Sequence, residues 1–236
     1  MQRFAVVATI AAAATAALMT ATTSSQAQRS GERNTRHIAG KFDYYQLVLS
    51  WSPTHCADNS RGAKDTQCGP RRARPYSFVV HGLWPQYERG WPQFCQTRGK
   101  PYVPANVISK MMDIMPSRGL IIHQYKKHGT CSGLDPATYF KASRIAYRNV
   151  KIPKMFKAPR KAILLAPTEL VKQFRSVNPT LTSDAVQVVC KRGNANRLKE
   201  VKFCMTRKGA FRACSRGRGA RHRCLNKKMY VPPIRD

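Results

Sequence analysis

The chain has 236 residues, enough for one domain of ordinary size with a real core. Its 42 Lys and Arg against 11 Asp and Glu give a formal charge of +31, which implies a polyanionic partner, nucleic acid or an anionic membrane surface, and weakens the reading of that charge as a solubility device alone. No period of roughly 20–50 residues repeats, which sets a solenoid aside.

Arg3 opens a targeting segment. An Ala-rich apolar run follows from Phe4 to about Met19, and Ser25-Gln26-Ala27 is a small-x-small cleavage site with the cut expected after Ala27. The run is too short and too rich in small residues for a membrane anchor, and no later apolar stretch approaches spanning length. Residues 1–27 are read as a signal peptide, 28–40 as a flexible lead-in and 41–236 as one domain. The mature protein is expected to be periplasmic or secreted, with no stable membrane insertion.

Tyr45, Leu47, Leu49 and Trp51 alternate with Gln46, Val48 and Ser50 and predict a strand ended by Ser52-Pro53. The Gly-, Pro- and Arg-rich stretch from Thr54 to Pro75 predicts a loop. Phe78-Val79-Val80 predicts a buried strand with His81 at its end, before a Gly and a Trp-Pro that break it. Trp84–Pro104 predicts a second loop, holding Tyr87, Trp91, Phe94 and Tyr102; such aromatics either stack on bases or cover the core, and for Trp91 and Tyr102 covering the core is at least as good a reading.

Val107, Ile108, Met111, Met112 and Met115 predict an amphipathic helix ending at Pro116. Leu120–His128 predicts a short helix with His123 and Lys127 on one face, His128 one step round, and Gly129 in the left-handed position past its end. Asp135 is the expected cap, and Pro136 the first residue, of a helix carrying Tyr139, Phe140, Ile145 and Tyr147. After a basic, Pro-interrupted connection over Val150–Lys161, Pro167-Thr168-Glu169 opens a helix with Leu170, Val171 and Phe174 inward.

The last third returns to strands at Ala185–Cys190, Val201–Met205 and, shorter, Ala210–Cys214. Residues Cys190–Lys228 hold 14 Lys and Arg and a single acid, Glu200. The densest run, Arg216–Arg223, reads as a phosphate-backbone contact surface, a solvated hairpin loop, or both. Strands early and late with helices between them predict an α+β domain, a mainly antiparallel sheet with helices on one side. Eight cysteines in an exported chain predict four disulfides; there is no Cys-x-x-Cys knuckle, and the last four are too widely spaced for a usual zinc site. The spacing does not say which cysteine pairs with which.

His123-Gln-Tyr-Lys-Lys-His-Gly-Thr-Cys131 places two histidines and two lysines within six residues. Such a cluster repels itself unless an anion sits among it, and a phosphate is the obvious anion. With His81 it offers three histidines and a lysine, an acid–base set for phosphoryl transfer that needs no metal or other cofactor.

His81-Gly-Leu-Trp-Pro85, followed about forty residues later by His-x-x-x-Lys-His-Gly-Thr-Cys, resembles the two active-site segments of the ribonuclease T2 family. The likeness runs from the Tyr45–Trp51 strand to the Leu198–Cys204 strand. It implies that His81 is the general acid, His128 the general base, His123 a holder of the phosphate or leaving side, and Lys127 a stabiliser of the phosphorane. It also implies that Trp84 lies near the base. The disulfides it suggests are Cys95–Cys131 and a nested pair, Cys190–Cys224 around Cys204–Cys214, which leaves Cys56–Cys68. His37, His55 and His222 have no such context and read as surface residues.

The implied reaction uses a nucleophile that RNA supplies itself. The 2′-hydroxyl attacks phosphorus and expels the 5′-oxygen, giving a 2′,3′-cyclic phosphate that is hydrolysed to a 3′-phosphate; the protein supplies a base, an acid and positive charge. Single-stranded RNA is the expected substrate. DNA lacks the nucleophile and should survive, although it can bind unproductively. Two residues depart from the family pattern: Gln124 stands where Glu is common, and Tyr125 where Trp is frequent. Gln keeps hydrogen bonding but loses the charge, so the site is expected to be more cationic and its pH optimum altered. Gln124 is also the main support for an alternative, a catalytically weak relative that binds RNA or other polyanions. A further alternative, a cationic protein acting on anionic membranes, is weakened by the lack of a long amphipathic cationic helix with a wide apolar face. Self-repulsion favours a monomer.

Overall fold

A computed structural model describes residues 37–58, 66–68, 75–191, 196–215, 224 and 228–234, all within the unit His37–Asp236. The expected signal peptide, residues 28–36 of the lead-in and the Arg216–Arg223 run lie outside the described residues. The end of the lead-in is tied to the domain: Gly40 N–H donates to the Cys131 carbonyl at 3.0 Å, and His37 Nδ1 accepts from Gln93 N–H at 3.1 Å.

The main sheet is antiparallel, in the order β2 (Phe78–Gln86), β1 (Tyr44–Trp51), β5 (Leu198–Met205), β4 (Val186–Cys190). The alternation along β1 becomes the two faces of this sheet, because paired residues of neighbouring strands share a face. Leu47, Leu49 and Trp51 sit with Leu83, Val80, Phe78, Val201 and Phe203 on the face packed in the core. Gln46, Val48 and Ser50 sit with Trp84, Gly82, Glu200 and Lys202 on the other. A second sheet pairs β3 (Ile163–Leu165) with β6 (Met229–Val231); three-residue strands are too short to show a period and were not foreseen. Of the strand expected at Ala210–Cys214, only the Met205–Phe211 bridge forms. The Gly209 turn, at φ +89°, and the Cys204–Cys214 disulfide hold that segment in a tight return too short for a ladder.

The loop expected from Thr54 begins instead with helix α1 (Ser52–Asp58), with Pro53 in the first turn, where its missing N–H costs nothing. Helix α2 (Ala105–Met111) stops short of Pro116. Beyond it the chain turns so that the Ile114 carbonyl accepts from Val80 N–H at 2.8 Å, closing part of the open edge of β2. Helix α3 (Arg118–Gln124) is capped by Ser117, whose side chain accepts from Leu120 N–H. Helix α4 (Pro136–Arg148) has Asp135 as its cap, accepting from Thr138 N–H at 3.1 Å. Helix α5 (Pro167–Val177) buries Leu170, Val171 and Phe174. Ile121, Tyr139, Phe140 and Phe174 of α3, α4 and α5 join the sheet's apolar face in one core. All four disulfides form, with the pairing that the family resemblance implied.

Candidate active site

His81 does not end its strand. β2 continues to Gln86, and His81 is the extra residue of a β-bulge, where Val48 pairs with Gly82 and the adjacent Leu49 with Val80. Trp84-Pro85 is tolerated because β2 is an edge strand, where a proline's missing donor breaks no ladder. The bulge has a purpose visible in the packing. Strict alternation would turn Leu83 away from the core; the extra residue keeps Leu83 buried beside Leu47 and brings Trp84 to the polar face with His81.

Trp84 is the hub of the site. Its indole Nε1–H donates to Gln124 Oε1 at 2.7 Å. The His128 ring stacks on it at 4.9 Å between centroids and 18° between planes, and His81 meets it edge-on at 5.2 Å. Lys202 Nζ lies 4.9 Å from the indole centroid, a cation–π contact. Gly82 makes room for this arrangement, since a Cβ there would collide with Gln124 Oε1 and Trp84 Nε1. Gln124 itself is only 2% exposed. Its amide thus anchors the aromatic wall.

The second segment differs from a plain helix. After Gln124 the chain widens into a π turn over Tyr125–Gly129. Gly129 is not the left-handed terminator; its φ is −61°, and the left-handed residue is Gly133 at φ +76°. Gly129 is required for a different reason, because a Cβ would strike the Tyr125 ring packed against it. π turns are rare and frequent at functional sites, and this one presents Lys127 and His128 together.

The electrostatics of the two principal imidazoles are opposite. His128 is 4% exposed, and its Nδ1 is buried with no hydrogen-bond partner. Burial first, then the cationic surroundings of Lys127, His81, His123 and Lys202, push it down to about 3 from an ordinary 6.5. His123 is also lowered, by burial and by Lys127 and His81. His81, in contrast, has a carboxylate: its Nδ1 lies 2.9 Å from Glu200 Oε1. Glu200 is 6% exposed, with Lys202 Nζ 3.8 Å from its other oxygen. Burial alone would raise the Glu200 carboxyl, but the His81 hydrogen bond and the charges of His81, Lys202 and Lys199 outweigh it and hold the group below its usual value.

Six expected site residues therefore come together: His81 and Trp84 from β2, His123 and Gln124 from α3, and Lys127 and His128 from the π turn. Glu200 was not foreseen as a site residue. Its signal was present, as the sole acid among 14 basic residues, but its partner lies 119 positions away and only the sheet register joins them. Trp91 and Tyr102 do not cover the core; both are exposed.

Two imidazoles, one paired with a carboxylate and one buried among cations, thus meet at a single indole where the sheet and the π turn come together. The chain belongs to the Ribonuclease T2 family, whose sequence model matches residues 42–214. It is 46% identical over 111 residues to a ribonuclease of Aeromonas hydrophila, covering 47% of this chain and 45% of that one. It is 33% identical over 120 residues to Ribonuclease 3 of Arabidopsis thaliana, covering 44% and 51%. The chain spans about half the length of these curated relatives. Its fold is similar to that of RNase NT, solved in complex with 5′-AMP, with a TM-score of 0.62, 25% identity, and coverage of 82% of this chain and 99% of that one.

Proposed function

We propose that the protein is an endoribonuclease that cleaves single-stranded RNA through a 2′,3′-cyclic phosphate to 3′-phosphate ends. The observation that carries this reading is the opposed setting of His81 and His128 around Trp84. His128, kept neutral, accepts the 2′-hydroxyl proton. The phosphate that binds among Lys127 and His123 offsets the cations that depress His128, so substrate itself raises the basicity of the ring. His81, its Nδ1–H held by Glu200, presents Nε2 to the leaving 5′-oxygen and donates the proton there. Glu200 is a positioning residue that fixes the tautomer and balances the charge of the protonated ring. Lys127 stabilises the phosphorane. In the second step the proton roles reverse, and water opens the cyclic phosphate.

The mature protein begins after residue 27 in this reading, acts as a monomer and is exported to the periplasm or beyond. Four disulfides suit an oxidising compartment. Among the described residues no helix is long and apolar enough to cross a membrane.

The test is incubation of the purified protein with RNA and with single-stranded DNA in EDTA, beside a His128→Ala control. RNA cleaved to cyclic phosphates, DNA intact and an inactive variant are expected. RNA shifted on a gel but uncut would overturn the enzymatic reading in favour of binding alone.

A further inference from the structure

Phe94 combines two features that stability does not explain. The residue is 56% exposed, and its backbone φ is +50°. The only other non-Gly residue with positive φ among the described residues is Asn196, a type that tolerates this conformation. A bulky aromatic there is an outlier, and such outliers gather where the surrounding structure over-determines them for a functional end. Gly or Asn would satisfy the turn, and a polar residue would satisfy the exposure.

The surroundings do over-determine it. Phe94 N–H donates to the Lys127 carbonyl at 2.8 Å. On one side Gln93 N–H donates to His37, and on the other Cys95 is joined to Cys131 just past the π turn. The ring is thereby fixed against the catalytic turn. It meets the His123 ring edge-on at 6.3 Å, and Lys127 Nζ lies 6.0 Å from its centroid. His123 and the cation Lys127, the two groups assigned to the phosphate in the ribonuclease reading, thus flank an open aromatic surface.

We propose that Phe94 is a stacking platform for a nucleobase of the RNA strand next to the scissile phosphate, an inference that rests on the ribonuclease reading. An apolar ring beside phosphate-binding cations matches the two chemistries of a nucleotide, a π face and an anion. Stacking of this kind accepts any base, because every base has such a face. The platform therefore contributes to strand binding without choosing the base.

The test compares the wild-type chain with Phe94→Gly and Phe94→Trp. Phe94→Gly is expected to lose about fivefold to hundredfold in kcat/KM on an RNA oligonucleotide, the range into which about 1–3 kcal/mol per stacked base converts. Its thermal midpoint should not fall, because Gly accepts the +50° backbone. Phe94→Trp should retain activity near that of wild type. Affinity is then measured for an uncleavable 2′-deoxy strand with and without bases. Phe94→Gly should weaken the base-bearing strand and leave an abasic strand unchanged. Wild-type kcat/KM in Phe94→Gly, or an equal loss on the abasic strand, would overturn the proposal. A wild-type protein that cleaves no RNA but binds the base-bearing strand through Phe94 would sink the ribonuclease reading and leave the platform standing.

Discussion

His81 and His128 touch the same indole, yet one is built by the sheet and the other by a turn. The sheet reaches across β1 to give His81 a buried carboxylate, Glu200 of β5. The π turn gives His128 only burial and cations. The carboxylate beside one ring and the cations around the other are the contrast on which the proposed division of labour, His81 as acid and His128 as base, rests.

Removing either ring should have the largest effect. His81→Ala and His128→Ala are each expected to lower kcat on RNA by about 10²–10⁴-fold, the usual weight of a general acid or base. Near-wild-type turnover in either variant would break the pairing of roles.

The same contrast predicts a stability profile. His128 is held at about 3 when folded and returns to about 6.5 when unfolded, so between those values the unfolded chain binds more protons. Its contribution is complete above about pH 6.5 and is lost as pH falls toward about 3, by up to about 5 kcal/mol at ~1.4 kcal/mol per pH unit. Glu200, held low when folded, adds a loss in the same direction at more acid pH. Urea unfolding at pH 7, 5.5 and 4 should show the decline, and His128→Phe should flatten it above the carboxylate range. An unchanged slope in that variant would mean that His128 is not held neutral by the fold.

Glu200→Gln sharpens the acid side. Losing one charge-assisted hydrogen bond, about 1.5–3 kcal/mol, should lower kcat by roughly ten- to hundredfold with little change in KM. Nitrogen-15 spectra should show His81 losing its fixed Nδ1–H tautomer. A change in KM alone, with the His81 signals intact, would reduce Glu200 to a structural residue.

How much of this the sequence revealed depends on how far apart the partners lie. His123, Lys127 and His128 fall within six residues, so their convergence is a local matter. The Glu200–His81 pair depends on which strand lies beside which, and composition carries no register. The bulge at His81 left a trace that is easy to pass over: core residues at Val80 and Leu83 break the period of two. The π turn left none, because Gly129 suits both a helix end and a close ring contact. Cysteine parity foretold four bridges, whereas their pairing needed the family.

Gln124→Glu should give the smallest change, and it tests the boundary between the two histidines. The amide oxygen that accepts from Trp84 Nε1–H has a direct counterpart in a carboxylate, so the indole, the stacked His128 ring and the edge-on His81 ring should stay in place. What changes is charge. A buried anion at the end of α3, next to the turn that carries Lys127 and His128, would counter the cations that depress His128, and the His128 value should rise from about 3. The acid limb of kcat/KM should therefore move to higher pH, while kcat near neutrality changes by less than about tenfold. A pH–rate profile that overlays the wild type would show that the setting of His128 comes from burial alone. A collapse of activity at all pH values would show that Gln124 serves the site through both its oxygen and its amide nitrogen.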